Sequence, residues 1–495
     1  MDRRALPSRR VQVLSTPAKR PQVAAPLVIL ALAALLRFAF LDSQSFWLDE
    51  AVTVRALRLD FGQMLERVYD NESTPPLYYA VAWVWAKLSG TDEVGLRSLS
   101  AAAGTGFVGV AYLTGRRLVS ERAGLIVAAL AAVSPLLVYY SQEARSYPLL
   151  LLVGGLSLLG FAHARDEPSG RALAGWALAS ALALASHYYA LFLVVGEAAS
   201  LVWLHRHRVL PAVSAVALVG LALLPLALHQ RGLDLANYLR DTSLGSRLAR
   251  VPKQFLIGFE GPAEAVLTGA AGLLAAAGVV LALRAGPRER GGALAAGVLA
   301  LVALLLPLPI DPDTFGVRNS LAAWLPAAIV VATGFAAARP RGLGLALTLA
   351  LCGIGLFTAL AVNLDGNYGR EDWRGAAEAV GPPPPGGRIV VVNPSEGEIP
   401  LGLYLRGLRR LPPGGASVRE VVAIGVDPGG PGSEKPPPRP DPPFRPPPPM
   451  ELVRLDFAPG YSVAIFRSPR PVRLVNRSLP PLAPFEPADR LLQRP

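Results

Sequence analysis

Residues 24–41 read AAPLVILALAALLRFAFL, an apolar run broken by one charge, Arg37. As a helix rising 1.5 Å per residue, it spans about 27 Å, close to the roughly 30 Å hydrocarbon core of a bilayer. Similar runs recur as far as Val362 and then stop. They cover 98–114, 123–140, 147–162, 172–186, 188–204, 209–229, 263–283, 292–309, 319–338 and 342–362, which makes eleven expected crossings with the first. Composition agrees. Across 495 residues, 52% are hydrophobic, only 17% are charged, and the mean hydropathy is +0.39, too apolar to coat a water-soluble globule of this size. The expected fold is an all-α polytopic membrane unit over 24–362, preceded by a basic cytoplasmic tail, 1–23, whose following helix stays uncleaved.

A net charge of +12 in a soluble chain would suggest nucleic acid. Here the arginines lie in short loops between apolar runs, where they set orientation, so nucleic acid is not an expected partner. Arg116, Arg117, Arg122, Arg165, Arg171, Arg206, Arg208, Arg284, Arg288, Arg290, Arg339 and Arg341 fall on one side if Pro75 to Gly90 does not cross. That segment has about 14 apolar residues behind two prolines, so it is expected along the interface. Lys and Arg then make up about one residue in three on the cytoplasmic side and about one in nine outside. The expected location is a plasma (inner) membrane, with the loop after Asp42, the turn at Glu143, the pair His187–Tyr188 and the tail all external.

The tail, 363–495, changes character. RIVVVN at 388–393 reads as a buried strand after a helix near 371–380, and 399–406 reads as a second helix, which together suggest a small extracytoplasmic α/β domain. Residues 434–449 are largely proline and are expected as an extended linker. Beyond them, 451–457 and 461–466 read as strands joined at Pro459–Gly460.

Charges beside lipid carry the functional signal, because burying them is costly. Asp49 and Glu50 follow the aromatic pair Phe46–Trp47 a few residues beyond the first run. A carboxylate there can accept a proton from an attacking hydroxyl, or simply open a solvated loop or cap a helix. SQEARSY, 141–147, brings Glu143 and Arg145, which could pair with each other or position substrate, metal or phosphate. Arg37 and Arg318 lie near the arginine-poor face, where they could snorkel or grip a lipid phosphate. His187 is a candidate metal ligand or sugar-binding donor, with Tyr188 beside it, and an ordinary interfacial histidine is the plainer reading. Glu197 is an intramembrane acid with no assigned partner, and the single cysteine, Cys352, excludes an internal disulfide. No phosphate-cradling glycine loop, dinucleotide fingerprint, HExxH helix or nucleophile elbow is present.

Taken in order, the late arginine of the first run, WLDEA at 47–51, PPLYY at 75–79, GLRSLSA at 95–101, GRRL at 115–118 and SPLLVYYSQEARSYPL at 134–149 resemble glycosyltransferase family 39 in its broad bacterial sense. Its relatives include protein O-mannosyltransferases that use dolichyl-phosphate-mannose and the aminoarabinose transferase that modifies lipid A. The resemblance is dense over 24–200, and Arg318, Pro326 and GREDWRGAA at 369–377 extend it. It implies the GT-C fold, a polyprenyl-phosphate sugar donor, a site facing away from the cytoplasm and an essential acid in the first outer loop. Asp49 matches that acid as base, with Glu50 beside it, and Glu143 matches a second, positioning acid. Arg37, Arg145 and Arg318 become the expected phosphate ligands, with a divalent metal ion as an optional relief for leaving-group charge. The large inserted domain usual in the protein-mannosylating branch is absent. Where the lipid A branch has an acid–base pair before its double proline, this chain has Ser73 and Thr74. The acceptor, whether lipid, glycan or protein hydroxyl, is therefore left open. The alternative class is a polytopic transporter or lipid flippase, which predicts inverted repeats and midplane charges.

Overall fold

The structure is a computed structural model and describes residues 24–235, 242–426, 445–479 and 488–495. The expected basic tail, 1–23, and most of the proline-rich linker, 434–444, lie outside the described residues.

The apolar runs fold as helices. Among the described residues six are long and apolar enough to cross a membrane, or seven if a bent pair counts as one. The bent pair corrects an expectation: 123–140 is not one straight span but Glu121–Val133 followed by Pro135–Ser141 at 59°. Proline at the first position of the second helix cannot supply an amide to the first, and the Ser134 hydroxyl accepts from the Leu137 amide to start a new helix. Ala24–Phe38 and Gly170–Ser186 are shorter, at 15 and 17 residues. The segment after the double proline forms Leu77–Ser89, whose 13 residues reach only about 20 Å. It packs on two other short helices, Leu48–Leu57 and Phe61–Asn71, through Phe46, Val54, Met64, Val68, Tyr78 and Tyr79.

Small residues allow the long helices to approach closely, as they do where lipid offers no hydrophobic drive to association. Gly334 of Trp324–Ala337 faces Gly278 of Glu264–Leu283 so tightly that a Cβ built on Gly334 would lie 1.7 Å from the Gly278 carbonyl oxygen. Glu197, fully buried, finds partners that the sequence did not show. Its Oε2 accepts from Ser157 Oγ at 2.5 Å and Trp176 Nε1 at 2.9 Å, and Ser157 meets Ser180 Oγ at 2.8 Å. One acid thus ties together Tyr147–Asp166, Gly170–Ser186 and Ala190–His205.

The tail forms a six-stranded mixed sheet built from β1 (Arg388–Asn393), β2 (Leu408–Arg410), β3 (Ala416–Gly425), β4 (Glu451–Ala458), β5 (Tyr461–Leu474) and β6 (Asp489–Gln493), in spatial order β2-β6-β1-β3-β5-β4. RIVVVN is buried at all six positions and runs parallel to β3, with Val390 opposite Val422, as a central strand of branched residues should. The expected hairpin is β4–β5, with Gly460 at φ 87° in its turn. Trp373–Val380 and Glu398–Tyr404 cover one face.

The tail is fastened to the first outer loop. Ser45 Oγ donates to the Glu371 carbonyl (3.0 Å) and accepts from the Trp373 amide (2.9 Å). Tyr404 OH accepts from the Phe46 amide (2.7 Å) and donates to Glu93 (2.6 Å), while Arg374 donates to Asp42 (2.9 Å).

Gly334→Ala is expected to cost at least about 3 kcal/mol, since the clash is with backbone and cannot be relieved by a rotamer. Gly269→Ala, on the same helix as Gly278 and with open space around it, is expected to be neutral. Thermal unfolding of the purified proteins in detergent checks this; equal midpoints for both variants would contradict the packing described.

Candidate active site

Leu48–Leu57 begins directly after Trp47, so Asp49 and Glu50 occupy its first turn. Neighbours on a helix diverge by about 100°, and the two carboxylates accordingly meet different surroundings. Glu50 points inward and is wholly buried. Arg97 grips it with two bonds, Nε to Oε1 at 2.8 Å and Nη2 to Oε2 at 2.6 Å, and the Ala144 amide adds a third at 2.8 Å. The remaining Arg97 donors go to the carbonyls of Leu41, Gln44 and Ser45. Burial alone would raise the Glu50 carboxyl, but Arg97, with Arg370 and the Ala144 amide, holds it below the usual glutamate range. Of the two acids, Glu50 is therefore the anchored one.

Asp49 points the other way and keeps 28% of its side chain exposed. Its Oδ2 lies 3.3 Å from Arg318 Nη1, and the Arg318 guanidinium also stands 5.2 Å from the Trp47 ring centroid. Arg318 comes from a short helix, Val317–Ser320, immediately before Trp324–Ala337, and is likewise 28% exposed. An acid and a guanidinium are thus presented side by side on a cluster that is otherwise buried.

Glu143 and Arg145 do not pair through their side chains, contrary to one reading of SQEARSY. Arg145 turns to Glu72 (3.3 and 3.4 Å), Tyr79 OH (3.0 Å) and Thr53 Oγ1 (3.3 Å). Glu72 immediately precedes Ser73, so a buried acid does stand close before the double proline. Glu143 is 1% exposed, its Oε2 has no hydrogen-bond partner, and Arg370 Nη2 lies 4.0 Å away. Burial pushes its carboxyl up to about 7 against the pull of Arg370 and Arg318.

Three expected ligands are committed to protein groups. Arg37, expected to grip a phosphate, is completely enclosed; it donates to Ser141 Oγ (3.1 Å) and to the carbonyls of Ala33, Ala131 and Ala132. It pins the bend between the two halves of the broken span. Tyr188 OH donates to Gln230 Oε1 at 2.7 Å, and Gln230 in turn donates to the Val68 carbonyl. His187 is 4% exposed, accepts from the Tyr189 amide at Nδ1, and is pushed down to about 4 by burial and by Arg145, so the ring is neutral at neutral pH. Among the described residues no group of three or more His, Cys, Asp or Glu side chains is placed to hold a metal ion.

Arg97, Glu72 and Arg370 were not singled out by the sequence reading. Arg370 leaves the last long helix on the strap 369–372 and is 5% exposed. Its Nε donates to Tyr139 OH (2.9 Å), Nη1 to the Gln142 carbonyl (3.2 Å) and Nη2 to the Tyr139 carbonyl (3.3 Å), and Glu50 Oε2 lies 3.9 Å from Nη1. A small cleft opens on its other side, walled by Phe40, Gln44, Tyr139, Gln142, Phe259 and Arg370 among others; Asp49 and Arg318 are not in its walls.

Residues 73–229 match the family described as dolichyl-phosphate-mannose-protein mannosyltransferase. Among solved structures, the chain is similar to ArnT from Cupriavidus metallidurans bound to undecaprenyl phosphate, with 13% identity and a TM-score of 0.51 over 89% of this chain and 97% of that one. Similarity to the same protein in the apo state is 12% identity at 0.51, over the same shares. The Archaeoglobus fulgidus oligosaccharyltransferase with Zn and sulfate aligns over 72% of this chain and 55% of its own at 14% identity and a TM-score of 0.46. No curated protein sequence matches. The chain is a multi-pass membrane protein that shares its fold with ArnT.

Glu50→Gln is expected to destabilise the fold by about 3–5 kcal/mol, because it leaves Arg97 buried without its counter-charge. Asp49→Asn should stay within about 1 kcal/mol, since its pair is part exposed. With its folded-state value lowered, Glu50 contributes stability that is fully present above the ordinary glutamate range and is lost as pH falls from that range through the lower folded value. Thermal melts of both variants at neutral and acid pH read this out; an Asp49→Asn loss as large as that of Glu50→Gln would overturn the assignment.

Proposed function

We propose that this chain transfers a sugar from a polyprenyl-phosphate carrier to an acceptor hydroxyl on a lipid, glycan or protein, at the face of a bacterial-type plasma membrane away from the cytoplasm. The observation that carries this reading is the Asp49–Arg318 pair, a part-exposed carboxylate 3.3 Å from a part-exposed guanidinium. In an inverting displacement the acceptor oxygen attacks the anomeric carbon while the bond from that carbon to the phosphate oxygen breaks. The acceptor's proton goes to Asp49, and the phosphate leaves with the bonding electrons into the field of Arg318. Glu143 is a buried positioning acid behind the pair. Arg145, tied to Glu72, supports the wall of the site, and Arg37, His187 and Tyr188 shape it without touching phosphate. The family match over 73–229, the fold shared with ArnT, and the undecaprenyl phosphate that ArnT binds support a carrier of this class.

The reading includes eleven crossings: beyond the six long apolar helices, Ala24–Phe38, Gly170–Ser186, Pro287–Leu305 and the bent pair also span, and Ala190–Gly232 divides at Arg206–Val209 into two. That register keeps Arg116, Arg117, Arg288 and Arg290 cytoplasmic and the tail outside. In a chain with Cys352 replaced by serine, a cysteine at Ser43 is expected to react with an impermeant thiol reagent added outside intact cells, and one at Arg288 to be protected. The reverse pattern would invert the topology.

Asp49→Asn removes the basic lone pair while keeping size, and a lost general base typically costs about 10²- to 10⁴-fold in rate. Transfer from a polyprenyl-phosphate-linked sugar is expected to fall by that factor with an unchanged melting midpoint. Full-rate transfer by the Asn variant would refute Asp49 as base.

A further inference from the structure

Arg370 reaches the site from far along the chain. Its strap begins beyond Leu364, the end of the last long helix, and continues into the tail domain through Trp373. The guanidinium lies over the Tyr139 ring, its Cζ 4.1 Å from the centroid, and is held by three hydrogen bonds to Tyr139 and Gln142. From there it stands 3.9 Å from Glu50 Oε2 and 4.0 Å from Glu143 Oε2. Glu50 is already saturated by Arg97 and the Ala144 amide. Glu143 is not: its Oε2 is buried and has no hydrogen-bond partner. Arg370 is thus the guanidinium nearest an otherwise unanswered acid.

Its placement depends on the docked tail. Arg370 N–H donates to Gln44 Oε1 (3.1 Å), Glu371 and Trp373 are clasped to Ser45, and Tyr404 of the tail holds the Phe46 amide. Those contacts fix residues 44–46, directly ahead of Trp47 and Asp49. The strap therefore sets both the acid behind the site and the loop that presents its base.

We propose that Arg370 is a positioning residue of the transfer site, which sets the charge and orientation of Glu143 and makes the tail domain an integral part of that site. The inference rests on the reading of the protein as a glycosyltransferase, but its first test does not. The groups facing Glu143 are Arg370 from the strap, Arg318 from the short helix before Trp324, Glu50 and Asp49 from Leu48–Leu57, and the tyrosines Tyr78, Tyr139, Tyr140 and Tyr147. The two guanidiniums favour the ionised carboxylate, while burial and the two acids oppose it. Removing Arg370 leaves Arg318 as the one cation among them, so Glu143 is held protonated to higher pH. An opposite charge at this distance typically shifts a carboxyl by about 1–3 pH units.

The test uses full-length protein in nanodiscs. Infrared difference spectra across about pH 5–9, which brackets the value of about 7 to which burial pushes the Glu143 carboxyl, report the protonated carboxyl band, and Glu143→Gln identifies the part belonging to Glu143. Arg370→Met is expected to move that titration alkaline by about one unit or more. Arg370→Lys, which keeps the charge but loses the fork onto Tyr139, is expected to restore most of the shift. Arg370→Gln replaces the Met variant if Met does not fold. In parallel, transfer from an undecaprenyl-phosphate-linked sugar should show its pH profile displaced in the same direction in Arg370→Met. A Glu143 titration unmoved in a folded, charge-removed variant overturns the proposal, whatever its melting point. A displaced titration in a protein whose wild type transfers no sugar would instead leave the positioning role standing and sink the glycosyltransferase reading.

Discussion

The buried pair Glu50–Arg97 is the constraint on which the outer half of the molecule depends. Desolvating two charges is expensive, and the cost is recovered only where geometry is good and the remaining donors and acceptors are met. Here every donor group of Arg97 has a partner within 2.9 Å, and Glu50 accepts from both guanidinium and backbone. The pair joins three separate pieces of chain: the loop from Leu41 to Glu50, the long helix Glu93–Leu118, and the turn at Ala144. Because Leu48–Leu57 is locked by Glu50, its neighbour Asp49 is aimed toward Arg318.

A division of labour among charges follows. Arg97, Arg37 and Arg145 are enclosed and committed to protein groups, so they act as fasteners. Arg318 and Asp49 both keep part of their surface exposed and lie 3.3 Å apart, so this charged pair is the one of the set that solvent reaches. Between these two sets stand Glu143, buried with its Oε2 unpartnered, and Arg370, buried and bonded to Tyr139 and Gln142 but only 4.0 Å from that oxygen. Such residues are costly to keep in the folded state and are concentrated where protonation has to change.

Much of this was legible in the sequence, and the failures have physical reasons. Apolar length found the helices and the short helix behind Pro75–Pro76, because neither depends on what packs against them. The kink at Ser134–Pro135 was missed although its residues signal a cap followed by a first-position proline; an uninterrupted apolar run outweighed the local chemistry. Adjacency alone showed that Asp49 and Glu50 must face different ways, but which one turns inward depends on Arg97, 47 residues away. Arg37 looked like a phosphate ligand because its helix face could not be known, and the carbonyls of Ala131 and Ala132 that it binds lie more than 90 residues on. Arg370 was hidden most deeply, since its partners Tyr139 and Gln142 come about 230 residues earlier, across ten intervening helices. In the tail, the fully buried β1 was read correctly, whereas β2, β3 and β6 carry weaker patterns and are specified by the neighbours they pair with.

The central claim is that the carrier's phosphate meets the protein at Arg318, with the reacting carbon beside Asp49. Photocrosslinking measures this directly, using a polyprenyl phosphate that carries a diazirine next to its phosphate, full-length protein in nanodiscs, and peptide mapping by mass spectrometry. The account predicts labelling concentrated on the peptides containing Trp47–Asp49 and Val317–Ser320, competed away by unmodified undecaprenyl phosphate. Competable labelling confined to the cleft around Phe40 and Phe259, with neither of those peptides modified, would contradict it.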